Sequence, residues 1–423
     1  MKGYFHKFKK SSSYLNIANT CFCIALASTI NLTPCYAQQI IIDGKTNTSI
    51  TTTGTTTSVR TSSIKNKNAF NSFSKFDVNA GNTVNLVVPD STDNLINLIN
   101  DKSTEINGKL NSYHNGTIGG NVFLVNPYGI TVGQQGVINV GSLNTITPTK
   151  DYMNSFFDSS GTPDDTSVNA LLKGTTPINR DAKVINYGSI NAIEDIKLDT
   201  GNVENYGEIY TGAVYDEQDV QLGDIVNLNK LENSSNIVVN NGNIVITTKE
   251  DFINAGKIVA DGGNNINAGI IDIRPEKDAI LLENSLISAK GKGINSNGGS
   301  ITIFADNDSY FKSGSIIDSL GGEISGDGGF IELSANRNVN IAGTFKAYAY
   351  NGDAGSILID PVTVDGSVLF GNSQYTHGAD LTITATDTIN INNIIISTRQ
   401  IAGGDTQAAH ASDPSTGNSG NLI

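Results

Sequence analysis

The chain has 423 residues, 44 of them glycine and none tryptophan, and a formal net charge of -14. Its length and moderate hydrophobic content allow a sizeable core, excluding a chain that is disordered throughout or dominated by membrane spans. Acidity without a basic stripe beyond the first residues excludes a nucleic-acid partner, because neutralising phosphates needs clustered Lys and Arg.

At the N-terminus, Lys2, Lys7, Lys9 and Lys10 precede a mildly apolar run from about Ile17 to Ile30. Cys35-Tyr36-Ala37 then sets small residues where a signal peptidase reads the chain. A long secretory signal over residues 1–37 is predicted, cut between Ala37 and Gln38. The apolar run is too short, and too interrupted by Asn and Thr, to span a membrane. A lipid-modified Cys35 within Leu32-Thr-Pro-Cys35 is the alternative, with Pro34 standing where Gly or Ala is usual. Cys21, Cys23 and Cys35 are the chain's three cysteines, so the predicted mature chain has none. Exported proteins commonly use disulfides. Their absence fits a chain that crosses a second membrane unfolded, where a cross-linked loop would jam, and it equally fits a repetitive core that needs no staples.

From Ile40 onward, β-branched runs of four to six residues recur between Gly, Asn and Asp clusters, which predicts an all-β architecture. Ile40 to Ile42 reads as the first strand. Ser91 to Asn100 departs from the rhythm: a polar cap followed by Leu95, Leu98 and Ile99 predicts a short helix. In Gly119-Gly-Asn-Val-Phe-Leu-Val-Asn-Pro-Tyr-Gly-Ile-Thr-Val-Gly133, Val122 to Val125 reads as a strand. Asn126 opens a turn, Pro127 presets its first central dihedral, Gly129 tolerates the closing position, and Ile130 to Val132 resume the extended chain. Between Thr147 and Arg180, Asp151 to Phe157 and Ser167 to Leu172 read as two amphipathic turns joined by the loop Ser159 to Asp165.

Repeats then choose among all-β folds. Val184-Ile-Asn-Tyr-Gly-Ser-Ile-Asn-Ala192 is echoed by Val203 to Thr211 and Phe252 to Ala260, each reading apolar, x, Asn, x, Gly, x, Ile. Later units begin Gly298-Gly-Ser-Ile, Gly328-Gly-Phe-Ile and Gly355-Ser-Ile, at a period of roughly 25 to 30 residues that signals a solenoid. A right-handed parallel β-helix is expected, with inward Ile, Val and Leu stacked between coils, Gly and Asn at the tight corners, the Asn side chains stacked as amide ladders, and the segment 147–180 as an excursion. A β-sandwich would not produce near-identical strand-turn-strand units. The final Gly417 to Ile423 looks like the opening of another unit, so a longer fibrous protein is expected.

The Asn126-Pro-Tyr-Gly-Ile130 turn, the glycines at 133 and 136, and Val137 to Leu143 together resemble the secretion domain of two-partner-secreted exoproteins. These are the filamentous haemagglutinins and leukotoxin-like filamentous adhesins. Asn68-Ala-Phe-Asn-Ser-Phe-Ser-Lys-Phe76, with Val78, Gly81, Val84, Asn85 and Leu86, looks like the family's first block. Asn85-Leu-Val-Val-Pro-Asp90 replaces the early Asn-Pro-x-Leu motif of many haemagglutinin-type members, which favours the leukotoxin-like branch. The resemblance implies a domain over residues 38–183, recognised in the periplasm by the periplasmic domains of an outer-membrane barrel, followed by β-helical repeats over 184–423. It implies a secreted or cell-surface fibre whose distal part meets a host cell surface or extracellular matrix. Candidate secretion residues are Asn126, Pro127, Gly129, Ile130, Asn68, Phe70, Phe73 and Phe76. Core packing and a partner-facing stripe both suit the three Phe, core being favoured because exposed Phe invites aggregation. A structural corner and a recognition element both suit Asn126.

Catalysis finds little support. His6 lies in the predicted signal, His114 in the turn Tyr113 to Gly116, and His377 and His410 in polar loops, so no nucleophile, base and orienter set assembles. There is no His-x-x-x-His or Cys-x-x-Cys spacing, and turns such as Ser325-Gly-Asp-Gly-Gly329 lack the repeated calcium nonapeptide. Asp164-Asp165 is an adjacent acidic pair of the kind β-helical polysaccharide-degrading enzymes cluster, but it sits in a Gly/Pro/Ser loop. No enzymatic activity, cofactor or metal is expected. A single-chain autotransporter passenger is the alternative function, with a polysaccharide-degrading enzyme behind it.

Overall fold

Short β-branched runs separated by Asn and Gly favour strands that cannot lengthen before the chain must turn, and three such strands make one coil. The computed structural model describes residues 39–212, 242–363, 366–398 and 421–423, so the expected cleavage at Ala37 and Gln38 lies outside the described residues. A representative coil runs Asn121–Val125, Ile130–Val132 and Val137–Val140. Among the described residues, successive coils place these strands in three long sheets of 13, 10 and 12 strands respectively. Pairing between coils is parallel and in register, as in the column Ile271, Ile301, Ile331, Ile357. The described chain is a parallel β-helix, as expected. Strands such as Ser300–Ala305 alternate outward and buried positions, because successive side chains point to opposite faces.

The repeated Asn-x-Gly corners follow from stacking. Asn186 donates its carboxamide NH2 to Asn205 Oδ1 and Asn205 to Asn254 Oδ1, both at 2.8 Å. Tyr187 and Tyr206 stack above one another, ring centroids 5.1 Å apart. A Cβ at Gly207 or Gly256 would collide with the carbonyl oxygen of the glycine one coil below, Gly188 or Gly207. Only glycine lets the corners approach this closely.

The N-terminal end is closed by antiparallel strands. Ile40–Ile42 pairs with Asn68–Phe76, and Thr48–Thr53 forms a hairpin with Thr56–Thr61. Ile41 faces Lys75 but Ile42 faces Phe73, leaving Ser74 as the extra residue of a bulge. The bulge resets the two-residue period. Phe73 and Phe76, three apart, therefore both enter the inner core, whereas Phe70 points outward into a second apolar cluster.

The segment Ser91 to Asn100 is not a helix but carries the strand Asn94–Ile99. Leu95 and Ile99 join the inner core while Ile96 and Leu98 join the outer cluster. A strand covered on both faces loses polar alternation, which is why its apolar spacing mimicked a helix. The cover is the expected excursion, with helix α1 (Lys150–Asn154) and helix α2 (Asp165–Lys173). Thr149 and Asp164 cap their N-termini, and Gly174, at φ 67°, ends the second. Tyr152, Met153, Phe156, Val168 and Leu171 pack onto Phe70, Ile96, Leu98, Phe123, Val125 and Ile146.

Candidate functional site

The Asn126 turn forms where the first strand of a coil hands over to the second. Asn126 is fully buried. Its Oδ1 accepts from Tyr128 N at 2.8 Å, and its Nδ2 donates to Lys102 O at 2.9 Å and Thr104 Oγ1 at 3.0 Å. Gly129 N closes the turn onto Asn126 O at 3.3 Å. Gly129 has φ +92°, and a Cβ there would stand 2.5 Å from Lys183 O. Ile130 is buried, in register between Thr104 and Val184. The turn therefore fixes the spacing of three coils.

Pro127 and Tyr128 meet the two ends of the excursion. Pro127 O accepts from Asn179 Nδ2 at 2.7 Å, and Lys150 Nζ lies 4.5 Å from the centroid of the half-exposed Tyr128 ring. A pocket of about 440 Å³ lined by Pro127, Tyr128, Thr149, Lys150, Asn179, Asp181 and Ala182 opens between them.

Asn68 starts a second amide ladder. Asn94 donates to Asn68, Asn121 to Asn94 and Asn144 to Asn121, each at 2.7 Å. A third ladder joins Asn85, Asn111, Asn139 and Asn191 on another sheet. Phe70 lies with its centroid 6.2 Å from that of Phe156, and Phe73 lies 5.0 Å from Phe76. All three are buried, so the core reading describes the folded state.

The sequence-predicted residues do not share one surface. Asn126, Pro127, Gly129 and Ile130 form the corner, while Asn68 and the three Phe lie at the capped end. The excursion connects the two regions, which sequence reasoning missed. Lys65 reaches Pro163 O at 2.7 Å and Asp165 at 2.8 Å, pairing positions almost 100 apart with no local pattern to reveal them. Asp164 and Asp165 are thereby explained as helix cap and ion-pair partner. Tyr152 donates to Ser167 O at 2.6 Å, and burial pushes its hydroxyl up to about 12. Among the described residues no three His, Cys, Asp or Glu side chains converge as a metal site needs, and no helix is long and apolar enough to cross a membrane.

The family model of the TPS secretion domain matches residues 38–318, about two thirds of the chain. The chain belongs to the TPS secretion domain family. The chain is also similar to the crystal structure of the HMW1 secretion domain from Haemophilus influenzae. Identity is 16%, coverage is 84% of this chain and 96% of that one, and the TM-score is 0.43. No curated protein matches the chain. Membership makes this a two-partner secretion exoprotein, an exported protein whose family implies an outer-membrane transporter as partner. In this TPS domain the corner, the amide ladders and the excursion all serve to hold consecutive coils in register.

Proposed function

We propose that the chain is the N-terminal part of a filamentous adhesin or leukotoxin-like exoprotein, cut after Ala37. In this reading residues 38–183 engage the periplasmic domains of a cognate outer-membrane barrel, and residues 184–423 supply β-helical repeats of a fibre that meets host surfaces. The observation that carries it is the TPS match, which starts at residue 38, the first residue after the expected cleavage. Ile40–Ile42 and Thr48–Thr53 terminate two of the long sheets, and Ile41 and Ile42 are substantially exposed, which suits addition of a partner strand. Asn126, Ile130, Phe70, Phe73 and Phe76 are buried, so any reading of them by the barrel applies to the chain before it folds. Pro127, Gly129 and Asn68 act with them by shaping the same corner and cap.

Co-expression with a candidate barrel tests the proposal, scoring release into the medium. Release should require both the barrel and residues 38–183. Equal release without the barrel would sink the two-partner reading, and N-terminal sequencing that finds lipid on Cys35 would replace the cleavage assignment.

A further inference from the structure

A solenoid couples each coil chiefly to its immediate neighbours, so distant coils open almost independently. The excursion of this chain breaks that rule, because it touches coils far apart along the stack. At the capped end, Lys65 holds Pro163 O and Asp165, and Lys45 Nζ lies 5.7 Å from the centroid of the Phe157 ring. The body of the excursion covers Phe70, Ile96 and Leu98, Phe123 and Val125, and Ile146, which lie on four consecutive strands of the first sheet.

Its neck is anchored onward. Thr147 Oγ1 bonds Thr200 Oγ1 at 2.9 Å, and Asn179 N donates to Thr147 O at 2.9 Å. Next to Asn179, Arg180 extends past Asn202 to reach two further coils. Its guanidinium donates to Lys249 O at 2.7 Å, Glu250 at 3.2 Å and Glu276 at 2.7 Å. Glu276 also pairs with Lys249, and Glu250 with Lys277. Hydrogen bonds from Lys277 and then Arg180 hold the Glu250 carboxyl below its ordinary range. One continuous segment thus contacts the seven consecutive first-sheet levels from Asn68–Phe76 to Ile270–Pro275.

We propose that residues 147–180 are a longitudinal strap that makes the described coils from Asn68 to Glu276 one cooperative unit, a coupling that the described coils beyond it lack. In a chain delivered N-terminus first, strap closure waits for residue 276; that consequence rests on the secretion reading, whereas the coupling does not.

Amide hydrogen exchange on the folded chain tests it. The perturbation is Ile273→Ala, near the far end of the strap, and the readout is the opening of the amides of Phe70 and Asn71 at the near end. With the strap intact their exchange should rise about tenfold or more, as members of one opening unit. In a Phe156→Ala/Arg180→Ala background, which leaves every inner-core side chain in place, the same perturbation should change it less than about twofold. Ile357→Ala, beyond the strap, should leave these amides unmoved in both backgrounds. If Ile273→Ala prevents folding, Ile273→Val is read the same way. Equal transmission in the two backgrounds would show that the coils themselves carry the coupling, and no transmission in either would show that there is none. Either result overturns the proposal.

Discussion

The carboxamide of Asn126 has both donors and its acceptor engaged by atoms of two coils. Asn126→Ala should therefore leave the Lys102 carbonyl and Tyr128 amide short of partners, at a cost of about 1–3 kcal/mol. Gly129→Val should cost more, since its φ is unfavourable for a β-branched residue and its Cβ would strike the Lys183 backbone. Both variants should melt earlier as isolated domains; unchanged melting with weakened affinity for the barrel's periplasmic domains would instead make the turn a recognition element. The Asn-Pro-x-Gly pattern made the turn legible, but Lys102 and Thr104 were not, because nothing in a local window marks a partner more than 20 residues away. Asp318 offers a second residue-level test. Burial, opposed by Lys290 and Lys346 and reinforced by Asp261, raises its carboxyl from 3.8 to about 6. Between those values the unfolded chain ionises first, so this residue's contribution falls as pH rises from about 4 to about 6 and stays low above that. Asp318→Asn keeps an acceptor for Leu320 N and should raise stability at pH 7 by up to about 3 kcal/mol. It should also flatten the slope of denaturation midpoint against pH across that window, and an unchanged slope would refute the assignment.

The inward columns were readable because Gly-Gly-x-Ile and Asn-x-Gly recur at the coil period, and Ile301 and Ile331 lie in the inner core as the repeats imply. The strand Asn94–Ile99 was not readable, since Leu95, Leu98 and Ile99 satisfy a helical spacing when the strand's second face is also covered. The same difficulty affected Phe70, Phe73 and Phe76, whose faces depend on a bulge at Ser74 that leaves no composition trace. Two-sided cover has a measurable consequence. Leu95→Ala and Ile96→Ala point to opposite faces, yet each should cost about 2–5 kcal/mol, the usual range for a large apolar side chain removed from a packed site. In a one-sided strand the outward change would be nearly neutral. Denaturant midpoints that separate the two variants widely would mean that the excursion does not seal the outer face.

Across the whole molecule, TPS-family membership and the absence of cysteine after residue 37 point to the same constraint on export. In-register pairing joins residues about one coil apart, so the folded solenoid is far wider than an extended strand, and transit through a barrel is expected before the coils wind. A covalent loop should then obstruct it. Thr302 and Glu332 are in-register partners on adjacent strands, both half-buried with outward side chains. Neighbouring parallel strands lie about 4.8 Å apart, within disulfide reach, so Thr302→Cys/Glu332→Cys can close a loop without replacing an inward side chain. The periplasm is oxidising. The expected result is that the double variant accumulates inside the outer membrane, that each single variant is released normally, and that a reductant in the growth medium restores release of the double variant. Finding the oxidised, looped form in the medium at wild-type yield would show that the chain passes the barrel with a cross-linked coil, and unfolded transit would have to be abandoned.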